Sequence, residues 1–318
     1  MVGVRNRSHY CMSQPLISIC VAAANADKYL EAALRSVGAQ TYTNWEVVVV
    51  EDGASARTKV GVQDFAASVS QHVIYIHQEP NQEISTLRNV GVAATGGDWI
   101  AFLDSDALWK PDHLATLISA SEIEEPDLVF AGSVLFDDAT WNKLGVQAPN
   151  DTDLKNLPLA LFTGRLSIKS PSVMIKKESL GKYGPISKKF STCSETEYWL
   201  RMLSRGGRLC YSGANTCIYR QYSDHGDQIA TALAESARIC ELYAGLAGIP
   251  RRVERTRTAN LYRWAARSLL AEDPKASREA IARALRLQPL NPKTIGLWAR
   301  IFLWPKKRPS RTAKNIAS

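Results

Sequence analysis

Asp104 and Asp106 stand two residues apart, directly behind the apolar run Ile100-Ala101-Phe102-Leu103. Two carboxylates spaced this way at an extended strand end point to the same side, so both reach one hard cation. That cation bridges a diphosphate whose charge the carboxylates would otherwise repel. The chemistry suggested is binding of a nucleotide diphosphate. The same spacing also occurs in ordinary turns, and the two readings separate only if the surrounding chain builds a ligand crevice at this point.

The first 130 residues alternate β-branched runs with helical patterns, as the crossover units of a parallel sheet require. Strands are expected over 17–22, 45–51, 72–77, 98–103 and 127–131. Helices are expected over 27–39, 58–68, 84–94 and 112–121, with apolar residues at helical spacing such as Leu30, Leu34 and Val37. Ligands of open sheets bind beyond the carboxyl ends of the strands, and Asp104 and Asp106 lie at such an end. From 135 to 184 the pattern is broken by turn residues, among them Asp137, Pro149, Asn150, Pro158 and Pro171, and one strand is expected, over 172–176. A helix over 195–205 and two short strands, around Leu209 and over 216–219, follow. Beyond Asp227 the character is helical, over 229–247, 253–271, 276–287 and 294–303. The segment 261–289 resembles one tetratricopeptide-like hairpin. A solenoid needs about three such repeats, so it reads as a helical appendage. The architecture expected is α/β: a tail at 1–14, a Rossmann-like, mostly parallel sheet flanked by helices at 15–226, helices at 227–304 and a basic tail at 305–318.

A chain of 318 residues with 45% hydrophobic content can bury one large core or two modest ones. It holds no run of 18 apolar residues, and the polar stretch 1–14 lacks the apolar region of an export signal. Its six cysteines form no Cys-x-x-Cys pair, which reads as reduced thiols in a cytoplasmic protein. The net charge of +8 is largely C-terminal, from Arg251 and Arg252 to Lys306, Lys307 and Arg308. No helix-turn-helix or basic sheet with interleaved aromatics accompanies it, so nucleic acid is not the expected partner. Trp298, Phe302 and Trp304 precede the tail. They allow two readings: a solvated tail after a packed helix, favoured because the apolar stretch is short, or peripheral contact with anionic lipid at the inner face of a membrane.

A haloacid-dehalogenase phosphatase also places Asp-x-Asp after a strand, but its pattern continues with a small hydroxyl residue or Val where this chain has Leu108. The motifs around Asp104 point elsewhere. Ile17-Ser18-Ile19-Cys20-Val21-Ala22-Ala23-Ala24-Asn25 is followed by Tyr29-Leu30, Leu34, Ser36, Val37, Gln40 and Thr41, and then by Trp45 to Asp52-Gly53. Leu87-Arg88-Asn89-Val90-Gly91, Ala94-Thr95-Gly96-Gly97-Asp98-Trp99 to Asp106, and Pro111-Asp112-His113-Leu114 come after. In this order the motifs resemble family 2 glycosyltransferases over roughly residues 15 to 222. The resemblance implies a GT-A fold and a metal-dependent, inverting enzyme using Mn2+ or Mg2+. Such an enzyme moves a sugar from a nucleotide-diphosphate sugar, foremost a UDP-sugar, to the hydroxyl of a glycan, lipid-linked or other acceptor in cell-surface polysaccharide or glycan assembly.

Carried over residue by residue, the resemblance puts Ala22, Ala24 and Ser105 along the nucleotide and makes Asp52 the base-contacting carboxylate. Asp104 faces the ribose or the metal, Asp106 is the direct metal ligand, and Arg88 lies near the diphosphate. Ser194-Glu195-Thr196-Glu197-Tyr198-Trp199-Leu200-Arg201 is similar to the family's Glu-Asp motif before Trp-Leu-Arg. Register on Trp199 makes Glu195 the general base, and Glu197 is its competitor. Each position has a plainer reading: a turn aspartate before Gly53, a surface helix arginine at 88, and acids that offset a helix N-terminus at 195 and 197. Departures are the three alanines 22–24, Ala107 in place of a further acid, and Tyr219-Arg220-Gln221-Tyr222 with a histidine only at His225. They keep open a second class of function, a glycosyltransferase-like binding or scaffolding protein with impaired catalysis. A nucleotidyltransferase would want a glycine-rich loop after the first strand, and residues 22–27 contain no glycine.

Overall fold

The computed structural model describes residues 14–24, 28–53, 55–221 and 226–303. The chain forms two compact units, residues 1–224 with 246–248 and residues 225–245 with 249–318.

In the first unit β1 (Ile17–Ala23), β2 (Trp45–Asp52), β3 (Val73–Gln78) and β4 (Trp99–Asp104) alternate with α1 (Leu30–Gly38), α2 (Ala56–Ser68) and α3 (Ile84–Ala93). These strands pair in parallel in the order β3-β2-β1-β4. β1, β2 and β4 are covered on both faces, which is why Val47 to Val50 and Ile100 to Leu103 are unbroken apolar runs. α1 turns Leu30, Ala33, Leu34 and Val37 to the sheet. α3 packs on the sheet through Gly91, where a Cβ would stand 2.2 Å from Cys20 Sγ. At Gly97 a Cβ would stand 2.6 Å from the Leu16 carbonyl, so this turn brings the chain closer to β1 than any side chain allows.

The second half of the sheet is mixed. It is built from β5 (Leu108–Trp109), β6 (Leu128–Asp137), β7 (Lys143–Gln147), β8 (Val173–Lys176) and β9 (Leu209–Gln221), with α4 (His113–Glu124), α5 (Asp151–Lys155), α6 (Leu157–Thr163), α7 (Lys177–Tyr183) and α8 (Ser194–Ser204). β8 runs antiparallel between β4 and β6, whereas β6 and β9 are parallel. Residues 135–184 are more regular than their turn-rich sequence predicts. Asn150 and Asp153 close a capping box on α5, Asn156 caps α6, and Gly164 ends α6 at φ 73. The two short strands expected near 209 and 216 are one strand, β9, whose register against β6 shifts between Tyr211 and Asn215. Gly213, at φ 78, lies within that bulge, so a turn signal in the sequence marks a bulge in the fold.

His113 opens α4 with its ring fully buried, stacked on Trp109 at 4.6 Å and with Nδ1 2.7 Å from Thr216 Oγ1. Burial pushes its pKa down from 6.5 to about 3, so the folded protein holds the ring neutral. The unfolded chain takes up a proton near 6.5, so the stability tied to the neutral ring is complete above that pH and is lost as pH falls towards 3. Urea unfolding should therefore show about 2 kcal/mol less stability at about pH 5 than at about pH 7 from this residue. A His113→Gln variant should show a flatter pH dependence. An equal slope in both proteins would mean that the ring protonates without unfolding.

The second unit holds α9 (Gly226–Leu242), α10 (Arg251–Ser268), α11 (Pro274–Leu287) and α12 (Pro292–Leu303). α10 packs on α9 and α11 through Thr258, Ala259, Leu261, Tyr262, Ala265 and Ala266. The Tyr262 hydroxyl donates to Glu241 at 2.6 Å, and Arg283 reaches the same carboxylate at 2.8 Å. Among the described residues no helix is long and apolar enough to cross a membrane. In α12 the Trp298 and Phe302 rings stack at 5.3 Å, while Trp304 and the basic tail lie outside the described residues.

Candidate active site

Three strand ends form one edge of the site. β2, β1 and β4 are neighbours, so Asp52 at the end of β2 and Asp104 at the end of β4 flank the end of β1. Two strand spacings put them about 10 Å apart. Ala22 is buried, pairs with Asp104 across the sheet, and accepts the Ser105 N–H at 3.2 Å. Ser105 is buried too, and Ala24 is half-buried just after β1, whereas Asn25 lies outside the described residues. Asp52 Oδ1 accepts the Gln82 N–H at 2.8 Å, and Gly53 follows it at φ 86.

Asp106 does not continue the strand. β4 ends at Asp104, and the Ala107 N–H donates back to the Asp104 carbonyl at 3.0 Å, so the two carboxylates are brought together by a turn and not by an extended strand end. Their proximity is visible in the charge of Asp104. Burial pushes its carboxyl up to about 6, Arg88 opposes the rise, and Glu195 and Asp106 add to it.

Arg88 joins the two halves of the site. It lies on α3 with its side chain only 3% exposed, and its Nη2 sits 2.7 Å from Asp104 Oδ1 and 3.2 Å from Glu195 Oε1. The Ser170 N–H donates to the same Glu195 oxygen at 3.1 Å. Arg88 Nε and Nη1 are buried without a hydrogen-bond partner among the described residues. The resemblance gives this residue to a diphosphate; the geometry seen is an inward one, between two carboxylates.

α8 separates its two acids. Successive residues of a helix turn by about 100°, so Glu195 and Glu197 point to nearly opposite sides. Tyr198, Trp199, Leu200 and Met202 anchor the helix, and the Trp199 indole N–H donates to the Ile168 carbonyl at 3.0 Å. That anchoring turns Glu195 to Arg88. Glu197 is buried and pairs with Arg201 at 3.1 Å, and Arg201 in turn donates to the carbonyls of Tyr183 and Pro185.

Two neighbours of the acids, Ser170 and Cys217, carry no sequence signal for a site, while a third, Tyr219, opens the Tyr219-Arg220-Gln221-Tyr222 element. Ser170 enters only through its backbone N–H, supplied by a 3-10 turn at Ser170–Ser172. Cys217 and Tyr219 on β9 are pushed up mainly by burial and further by Asp104, Glu195 and Asp106, which places both within reach of the acid cluster. Lys169 holds its ammonium 5.3 Å from the centre of the Tyr219 ring.

Among the described residues no three His, Cys, Asp or Glu side chains converge to hold a metal by themselves. Mg2+ and Mn2+ do not need such a cage, since one or two carboxylates complete their shell with water and substrate phosphates. Asp104 and Asp106 supply hard oxygens, and Asp104 shares one buried guanidinium with Glu195. The donor set fits a hard divalent cation bound together with a diphosphate.

The family described as Glycosyl transferase family 2 matches residues 18–183, more than half of the chain. The chain belongs to this family. The glycosyltransferase EpsH of Bacillus subtilis is 32% identical over 158 residues, which are 49% of this chain and 45% of that protein. The teichuronic acid biosynthesis glycosyltransferase TuaG of the same organism is 27% identical over 210 residues, 64% of this chain and 78% of that protein. The chain therefore spans less than half of EpsH and about three quarters of TuaG. S. aureus TarS 1-349, in a crystal structure with UDP-GlcNAc, superposes with a TM-score of 0.62 at 14% identity over 91% of this chain and 90% of that one. This likeness shows the GT-A type of fold for the family 2 chain.

Proposed function

We propose that the chain is an inverting glycosyltransferase that moves a sugar from a nucleotide-diphosphate sugar to an acceptor hydroxyl in the assembly of a cell-surface polysaccharide or related glycan. One observation carries the reading: a single guanidinium nitrogen of Arg88 spans Asp104 and Glu195, so the carboxylate pair on the donor side and the acid on α8 face one site. The UDP-GlcNAc bound by TarS and the naming of TuaG for teichuronic acid biosynthesis support a UDP-sugar donor and a polymer product.

In this reading Asp52 receives a base N–H at the far end of the crevice. Asp106, with Asp104, would hold Mn2+ or Mg2+, which would supply positive charge to offset that of the diphosphate. Glu195 takes the proton of the acceptor hydroxyl, the oxygen attacks the anomeric carbon, and the bond to the diphosphate breaks on the opposite side, which inverts the centre. Arg88 keeps Glu195 aimed.

Calorimetric titration with a UDP-sugar, with and without Mn2+, tests the donor half. Binding is expected to need the cation, and Asp106→Ala should weaken it about tenfold or more in Mn2+ while changing little when the cation is chelated. Equal affinity of the variant and the parent in Mn2+ would remove Asp106 from the metal site.

A further inference from the structure

α10 is an 18-residue helix carrying six arginines and a single acid, Glu254. Its buried residues, among them Thr258, Leu261, Tyr262 and Ala265, occupy one side against α9 and α11. At about 100° per residue, Arg252, Arg257, Arg263, Arg267 and Trp264 fall together on the other side, within an arc of about 140°. At about 1.5 Å per residue this strip is about 22 Å long. Glu254 is turned away from it, buried, and accepts the Gly245 N–H at 2.6 Å.

Among the described residues none of these four arginines is in an ion pair, and Arg257 Nε and Arg263 Nη1 are buried without a hydrogen-bond partner. Trp264 is 42% exposed, with the Arg257 guanidinium 6.0 Å from its ring centre. A groove of about 330 Å³ runs along the same side, lined by Arg252, Val253, Thr256, Arg257 and Asn260. Like charges placed in a row repel one another, and buried guanidinium N–H groups without acceptors cost free energy. An external anion relieves the repulsion. A single small anion meets one or two of the guanidiniums, whereas a chain with repeated anionic groups meets all four. A helix lying in a bilayer surface would present an apolar stripe, and this face offers only Val253 and Trp264.

We propose that this face of α10 binds a linear polyanion that repeats phosphate groups along its length, with Trp264 packing against the apolar parts between them. The binding is independent of sugar transfer. Where the proposed transferase reading holds, the class of ligand is a phosphate-bearing glycan polymer, the acceptor chain or the growing product.

The test uses the full chain and long-chain inorganic polyphosphate as the probe, with affinity measured across a range of salt concentrations. Arg252→Gln/Arg267→Gln, which alters two exposed side chains, should weaken binding about tenfold at low salt and flatten the plot of log affinity against log salt by about two charges. Unfolding midpoint and UDP-sugar binding should not move, so loss of the strip is distinguished from loss of the fold, and failure of the donor reading shows up separately. Arg252→Gln/Arg257→Gln/Arg263→Gln/Arg267→Gln should abolish binding, and orthophosphate should compete only weakly. Equal polyphosphate affinity in the double variant would overturn the proposal. So would binding to anionic vesicles without binding to polyphosphate, or tighter, sequence-dependent binding to a nucleic acid.

Discussion

Replacing Glu195 by Gln should lower sugar transfer by about 10²-fold or more while leaving donor affinity unchanged, because an amide of the same shape cannot take the acceptor proton. The amide oxygen can still accept the Ser170 N–H that the carboxylate accepts at 3.1 Å, so the side chain keeps its place. Glu197→Gln is expected to behave in the opposite way. That acid is buried against Arg201, and its loss should lower the urea midpoint with transfer largely retained. Steady-state transfer and donor titration on the two variants separate the roles. Transfer that survives Glu195→Gln but vanishes in Glu197→Gln at an unchanged urea midpoint would move the base to Glu197, and survival in both would exclude the α8 acids from proton transfer.

Arg88→Met should cost about 3 to 5 kcal/mol of stability, the range for breaking a buried ion pair, because it leaves two carboxylates facing each other without their shared cation. Asp104 and Glu195 are 16% and 21% exposed, so water screens that repulsion only in part. Arg88→Lys should recover part of the loss but not the transfer rate, since a compact ammonium on a shorter, flexible stem does not hold one nitrogen against both acids as Nη2 now does. Chemical denaturation with parallel donor titration tells an internal bridge from a ligand contact. A variant with full stability and weakened donor binding would show that Arg88 works on the diphosphate and not between the acids.

Much of the fold was legible in the sequence wherever one element decides its own structure. β1, β2 and β4 are buried on both faces, so each needs an unbroken apolar run, and the runs ending at Asp52 and Asp104 announced both the strands and the edge where a ligand binds. Gly91 and Gly97 also have local reasons, since backbone or sulfur occupies the space of a Cβ at each. The region 135–184 was less legible because its Asn and Pro residues cap short helices as readily as they make loops, and Gly213 marks a bulge as readily as a turn.

The site itself divides along the same line. Residue type and spacing alone determined that Asp104 and Asp106 form a pair, because neighbours two apart stay close in a turn as well as in a strand. Which α8 acid faces that pair, and where Arg88 points, was decided by tertiary structure. A mid-helix arginine carries no mark of burial in its sequence, and it is inside here because β4 and α8 bring a carboxylate to each side of its Nη2. Glu195 and Glu197 are chemically alike, and only the docking of Tyr198 and Trp199 sets the rotation of α8 that gives one acid to the site and the other to Arg201. Charges find their partners across the fold at distances of a few Å, and those distances exist only after helices and strands have packed.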